Sequence, residues 1–108
     1  MSPAGVVVAL VTAPDAEAAE RLASALVEER LAACANVVPG VVSIFRWDGK
    51  VQREDEVLIV LKTTAEALPR LTPRVAELHP YDVPEVLALP VSGGLDAYLS
   101  WVTAEVGP

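Results

Sequence analysis

The chain contains few of the side chains that build catalytic and metal centres. Its 108 residues include one cysteine, Cys34, and one histidine, His79. A lone cysteine cannot form a disulfide within the chain, which suits a reducing compartment, and it excludes a zinc site built from several cysteines. Cys34 and His79 are also the one cysteine–histidine pair that the composition allows, and nothing in the sequence holds them together. We therefore predict that the protein is not an enzyme, and an enzyme built on this pair is the weakest of three hypotheses.

Basic residues and long apolar runs are scarce as well. The chain has eight lysines and arginines in total and fifteen acidic residues, which gives a net charge of -7. An acidic surface repels phosphate backbones, so we predict no nucleic-acid binding. No apolar run reaches the roughly 18 residues that a membrane span requires, so we predict no membrane insertion. The first residues lack the basic region of a signal peptide, and we therefore predict a cytoplasmic protein.

Apolar residues make up 53% of the chain. This is enough for one hydrophobic core, so we predict a single domain over residues 1–108. Short runs rich in β-branched residues predict strands, whereas apolar residues at three- and four-residue spacing predict helices. The predicted elements are, in order, a strand over 5–11, a helix from Asp15 to about Cys34, a hairpin over 35–64, a helix over 64–79, a strand over 83–91 and a helix over 95–106. Pro69 and Pro73 lie inside the pattern of the second helix, so this helix either starts late, with one of them in its first turn, or is kinked.

The predicted hairpin carries three signals of its own. Asp48-Gly49 is typical of a two-residue turn, and Pro39-Gly40 interrupts the first strand and predicts a bulge or bend. Residues 57–62, "VLIVLK", are apolar at consecutive positions, although an antiparallel strand with one wet face should alternate. We therefore expect helices or another subunit to cover the second face of this strand.

The order of elements predicts an α+β fold. A βαββαβ order is typical of the ferredoxin-like sandwich, with two helices on one face of an antiparallel sheet, and this chain adds a C-terminal helix. One added helix is too small to cover the other sheet face. We therefore expect an oligomer that buries the remaining apolar surface.

Four stretches resemble the CutA family of divalent-cation tolerance proteins. They are "TAPD" (12–15), "LVEERLAACANVVPGVVSIFRWDGKVQREDEVLIVLKTT" (26–64), "HPYDVPEVLALPV" (79–91) and "YLSWV" (98–102). The resemblance covers about residues 6–103 in unbroken order. It implies a ferredoxin-like subunit in a homotrimer, similar in shape to the PII signal proteins, that takes part in tolerance to copper and other divalent cations. It implies no required cofactor and no established reaction.

The resemblance also indicates where a cation would bind. Copper-binding members have a cysteine before "TAP" and two histidines before "PY", whereas this chain has Val11, Leu78 and His79 at these positions. One imidazole alone makes no tight site, because copper and zinc take several nitrogen or sulfur donors. The predicted metal ligands are therefore His79 with Glu85 and Cys34.

Each candidate residue also has an ordinary structural interpretation. His79 is a ligand or a helix-end residue before Pro80, and Cys34 is a ligand or a packed apolar side chain. Lys62 binds an anion or pairs with a carboxylate such as Glu85. Trp47 and Tyr81 have two interpretations as well: they line a cleft or fill an interface between subunits.

The leading functional hypothesis is a homotrimer that binds divalent cations, such as copper or zinc, weakly at a subunit cleft. The alternative is a PII-like sensor or adaptor that binds a small anionic ligand or a partner protein in the same cleft. In that case Lys62 and Arg46 would matter more than His79.

Overall fold

A computed structural model describes residues 5–108, which form four strands and three helices. The elements are β1 (Val6–Ala13), α1 (Ala16–Glu28), β2 (Cys34–Trp47), β3 (Lys50–Thr64), α2 (Leu68–Leu78), β4 (Leu87–Pro90) and α3 (Asp96–Glu105). The predicted α+β class and the βαββαβ order with a C-terminal helix are confirmed. The single-domain prediction for residues 1–108 includes residues 1–4, which lie outside the described range.

The strands form one sheet in the order β2-β3-β1-β4, and every neighbouring pair is antiparallel. In this arrangement β3 separates β1 from β2, and β1 separates β3 from β4, as in the ferredoxin-like split βαβ pattern. Helices α1 and α2 pack on the same face of the sheet, because buried residues of both helices join one cluster with residues of β1 and β3. The core between helices and sheet contains, among others, Leu22, Leu26, Ile59, Leu61, Leu71 and Val75.

The central strand β3 alternates in burial although its sequence does not alternate in polarity. Val57, Ile59 and Leu61 are at most 6% exposed and face the two helices. Leu58 and Val60, on the opposite face, are only half-buried. The expected second apolar face is therefore present, and within one subunit it is incompletely covered.

Helix α3 covers one end of this second face. Val6, at the start of β1, packs with Leu99, Val102 and Val106. The uncovered remainder is here called the open sheet face, because directly opposed residues of antiparallel strands point to the same side. It consists of Val8 and Leu10 on β1, Val38 on β2, Leu58 and Val60 on β3, and Leu87 and Leu89 on β4. Leu87 and Leu89 are 58% and 53% exposed, so this face leaves a large apolar area uncovered.

Both predicted irregularities of the hairpin are confirmed. Asp48 and Gly49 have φ angles of 52° and 75°, which are the left-handed values that a two-residue type I′ turn requires. The pairing register of β2 and β3 shifts between Val38 and Val41, and Gly40 has a φ of 82°. The bulge therefore lies at the predicted Pro39-Gly40 pair.

The predicted end of the first helix is wrong. Helix α1 ends at Glu28, where we expected about Cys34. Arg30 has a φ of 61°, and its guanidinium donates hydrogen bonds to the carbonyls of Ala104 and Glu105 at the far end of α3. Cys34 consequently begins β2 and is not at a helix end.

Helix α2 begins late, at Leu68, with Pro69 in its first turn and a 3-10 turn (Ala65–Ala67) before it. This late start is one of the two arrangements that its prolines predicted. Strand β4 is limited to Leu87–Pro90, shorter than the predicted 83–91, and segment 79–86 is irregular. Within residues 5–108, no helix has the length and apolar character needed to cross a membrane.

The core assignment predicts that Leu71→Ala destabilises the protein much more than Leu95→Ala. Leu71 is 0% exposed and Leu95 is 75% exposed. Removing the buried side chain should lower the free energy of unfolding by about 2–5 kcal/mol, whereas the exposed change should stay within about 0.5 kcal/mol. Urea unfolding followed by circular dichroism measures both values, and equal losses would contradict the described core.

Candidate functional site

His79 lies directly after α2 and is only 7% exposed. Its Nε2 is 2.7 Å from the carbonyl oxygen of Thr12, and its Nδ1 is 3.1 Å from the backbone nitrogen of Tyr81. A backbone N–H can only donate, so Nδ1 must accept and carries no proton, while Nε2 carries the proton that bonds the carbonyl. Both ring nitrogens of this neutral imidazole are therefore engaged within the subunit. The predicted helix-end position of His79 is confirmed.

Tyr81 connects His79 to a buried carboxylate. The two rings are 4.7 Å apart, and the Tyr81 hydroxyl donates a 2.8 Å hydrogen bond to Oε2 of Glu56 on β3. Partial burial, followed by the hydrogen bond and charge of Glu56, raises the pKa of Tyr81 to about 12. Glu56 itself is 8% exposed, so the bond replaces part of the hydration that this carboxylate loses.

Glu85 lies close enough to Glu56 to feel its charge. The pKa of Glu85 is raised by partial loss of hydration and then by the Glu56 carboxylate. Within residues 5–108, neither carboxylate has a lysine, arginine or histidine at ion-pair distance. We call Glu56, His79, Tyr81 and Glu85 the junction cluster, because they lie where β1, β3 and the segment after α2 meet. The cluster concentrates negative charge without a fixed cation.

Cys34 and Lys62 belong to a second group, which we call the open-face cluster. They oppose each other in the β2–β3 register. The Lys62 ammonium donates a hydrogen bond to Oδ1 of Asn36, and the Cys34 sulfur lies 4.0 Å from the same oxygen. Within the described residues of one subunit, Lys62 and Glu85 form no ion pair, because Lys62 lies on another part of the sheet. Tyr98 also belongs to this cluster, since its pKa is raised by burial and then by Cys34.

The two clusters are far apart within one subunit. Glu56 and Lys62 are separated along β3 by roughly 20 Å, at about 3.3 Å per residue. Trp47 is distant from both, because it pairs with Lys50 beside the hairpin turn and is 56% exposed. The structure thus brings His79, Tyr81 and Glu85 together, but it does not bring Cys34, Lys62 or Trp47 to them. In the described part of the chain, no three His, Cys, Asp or Glu residues are arranged to hold a metal ion, and metal binding by His79, Glu85 and Cys34 stays a prediction.

Glu56 is not among the site residues that the sequence predicted. It ends a run of three acidic residues, and the structure buries Glu56 and leaves Glu54 and Asp55 exposed. One signal was present: Glu56 directly precedes the apolar run of β3, where a strand enters the core. Asn36 was overlooked too, and no local pattern distinguishes it.

These features define a small α+β protein with ferredoxin-like topology and a polar junction at one end of its central strands. The family model described as "CutA1 divalent ion tolerance protein" matches residues 7–105. The chain belongs to this family, as the resemblance predicted.

Individual relatives agree with this assignment. The "Divalent-cation tolerance protein CutA" of Thermus thermophilus is 52% identical over 100 residues, which cover 93% of this chain and 97% of that protein. The chloroplastic protein CutA of Arabidopsis thaliana is 50% identical over 96 residues, and this chain spans 53% of its length. A solved structure of the Thermus thermophilus divalent cation tolerance protein superposes with a TM-score of 0.93 at 51% identity, covering 94% of this chain and 99% of that one.

The junction cluster predicts an unusual tyrosine titration. With Tyr98 changed to Phe, Tyr81 should ionise near pH 12, and adding Glu56→Gln should move its pKa toward the ordinary value because a charge is lost. Since the folded state holds this proton more tightly than the unfolded chain, stability should fall as pH rises from about 10 to 12. Ultraviolet absorbance of tyrosinate measures the pKa. Glu17→Gln on α1 is the control, and an equal shift in that variant would contradict the proposed contact.

Proposed function

We propose that this chain takes part in divalent-cation tolerance by binding divalent cations weakly at the junction cluster. Family membership supports the general role, because the family model and the Thermus relative both carry divalent ion tolerance in their names. The single observation that carries the binding proposal is the Glu56–Glu85 pair. Two neighbouring carboxylates without a cationic partner gain Coulomb energy when a divalent ion enters between them.

The chemistry of the pair suits weak binding. Glu56 is already bonded to Tyr81 through Oε2, and Glu85 is exposed in one subunit. Such a site offers few protein ligands, so bound water would complete the coordination shell, as is common for oxygen-bound divalent ions. We infer that the protein requires no resident cofactor and acts without catalysing a reaction.

His79 and Cys34 remain proposed ligands for copper or zinc. Ligation by Nδ1 of His79 requires the Tyr81 N–H to give up its acceptor, because that nitrogen has one lone pair. Cys34 lies in the open-face cluster, so it would join His79 only if another subunit supplied one of them. Nitrogen and sulfur donors would shift the preference toward copper and zinc.

We also propose that the protein assembles as a homotrimer, similar in shape to PII signal proteins. The open sheet face supports self-association, because Val38, Leu87 and Leu89 are 41%, 58% and 53% exposed. The hairpin adds further apolar surface, with Ile44 70% and Trp47 56% exposed. A neighbouring copy would bury this surface, and contiguous exposed apolar residues commonly mark protein interfaces.

A second candidate function is a PII-like sensor or adaptor. The observation that favours it is Lys62, whose ammonium on the partly apolar sheet face bonds an amide oxygen. A small anionic ligand or an acidic partner segment would supply the missing countercharge. We further propose a cytoplasmic location for this chain, although the Arabidopsis relative is named as chloroplastic.

The cation proposal predicts matched effects of two charge removals. Glu85→Gln and Glu56→Gln should each weaken the binding of Mn²⁺ or Zn²⁺ by at least about tenfold, because each removes a charged oxygen ligand. Isothermal titration calorimetry measures the affinity. Glu66→Gln, an exposed acidic residue before α2, should bind as the parent does. The proposal fails if the parent binds no divalent ion or if all three variants lose affinity equally.

The assembly proposal predicts the mass of three chains in solution. Light scattering coupled to gel filtration should report a trimer for the parent. Replacing Leu87 and Leu89 together by Glu should dissociate it, because both side chains lie on the open sheet face. The same double change to Val is the control and should remain trimeric. A folded single chain for the parent would contradict the proposal.

A further inference from the structure

We infer that His79 is a positioning residue, which as a neutral imidazole holds Tyr81 on Glu56. Three hydrogen bonds form this bridge. His79 donates to the Thr12 carbonyl, Tyr81 donates its backbone N–H to His79, and the Tyr81 hydroxyl donates to Glu56. Thr12 pairs with Leu58 on β3, which is two residues from Glu56. The bridge therefore begins on β1 and ends on the neighbouring strand β3.

The local sequence makes this bridge the principal support of Tyr81. Segment 79–86 is irregular, so its residues belong to no helix and no strand. The His79 N–H bonds Val75 at the end of α2, and Pro80 has no N–H to donate. The Tyr81 N–H is therefore the first free donor after the helix, and the imidazole is its acceptor. This contact sets where the segment leaves α2.

The position of Tyr81 in turn determines the state of the Glu56 carboxylate. The hydroxyl bonds Oε2 at 2.8 Å, and a buried carboxylate that loses such a donor bears an uncompensated desolvation cost. His79 thus acts on Glu56 through Tyr81, without contacting a bound ion itself. Positioning by His79 is therefore an alternative to its proposed role as a ligand, because the single lone pair of Nδ1 cannot serve the Tyr81 N–H and a metal together.

Two substitutions separate positioning from ligation. In His79→Asn the amide oxygen takes the place of Nδ1 and can still accept from Tyr81. In His79→Gln the amide nitrogen takes the place of Nε2 and can donate only to Thr12. Both remove the imidazole, so a ligand role would be lost in both, whereas positioning of Tyr81 should survive in the Asn variant alone.

Nuclear magnetic resonance tests the bridge in the metal-free protein. In the parent, the nitrogen shifts of His79 should show a protonated Nε2 and an unprotonated acceptor at Nδ1. Loss of the imidazole ring, whose centroid is 4.7 Å from that of Tyr81, shifts the Tyr81 ring signals in both variants, so the readout is the Tyr81 backbone amide. Its proton should stay protected from exchange in His79→Asn and lose this protection in His79→Gln. A parent protein with its proton on Nδ1, or equal protection of the Tyr81 amide in both His79 variants, would overturn the inference. The parent measurement decides even if a variant does not fold.

Cation affinity supplies the second test, and this arm rests on the proposed function. In calorimetry with Mn²⁺ or Zn²⁺, the affinity of His79→Asn should be close to that of the parent. His79→Gln should bind about tenfold more weakly or worse, because removal of a residue that orients a ligand commonly lowers metal affinity by this much. Equal loss in both variants would make His79 a ligand and overturn the positioning role. If the parent binds no cation, the proposed function fails, and the resonance measurements still decide the role of His79.

Discussion

The structure depends on a sheet whose central strands are apolar on both faces while only one face carries two helices. The helices bury the inner face of the central strands β1 and β3, and α3 covers the second face only around Val6. Burial of apolar area is the dominant favourable term in folding. Covering the partly exposed second face would therefore stabilise a single subunit further. This imbalance connects the fold to the proposed assembly, because the same strands that build the core also present the surface left for a neighbour.

The same strands also position the junction cluster. β3 enters the core at Glu56, and β1 leaves it at Thr12, so both ends of the His79–Tyr81 bridge are anchored to the central strands of the sheet. Sites held by rigid elements keep their geometry better than sites on free loops. Segment 79–86 has no regular structure of its own, and it nevertheless carries Tyr81 and Glu85 at defined places because its first residues are tied to the sheet. The chemistry of the cluster is therefore a consequence of strand register.

Local patterns predicted much of the fold, and they failed where distant contacts decide. The Asp48-Gly49 turn and the Pro39-Gly40 bulge were predictable, since two adjacent residues determine the backbone conformation at each of them. The end of α1 was not, because Arg30 adopts its left-handed conformation while its guanidinium bonds carbonyls at the end of α3. For the site, the sequence identified His79, Tyr81 and Glu85, yet it missed the buried Glu56, whose partner lies 25 residues away along the chain. The family resemblance supplied the functional class, which no single motif defines.

The long hairpin has a hydrodynamic consequence. Strands β2 and β3 continue past the bulge to the Asp48-Gly49 turn, and the subunit measures 43 × 25 × 24 Å along its principal axes. A body of this shape experiences more friction in water than a sphere of equal mass. An isolated chain would therefore elute from a sizing column earlier than a compact sphere of the same mass. It would also tumble anisotropically, with its slowest rotation about the axes perpendicular to the longest dimension.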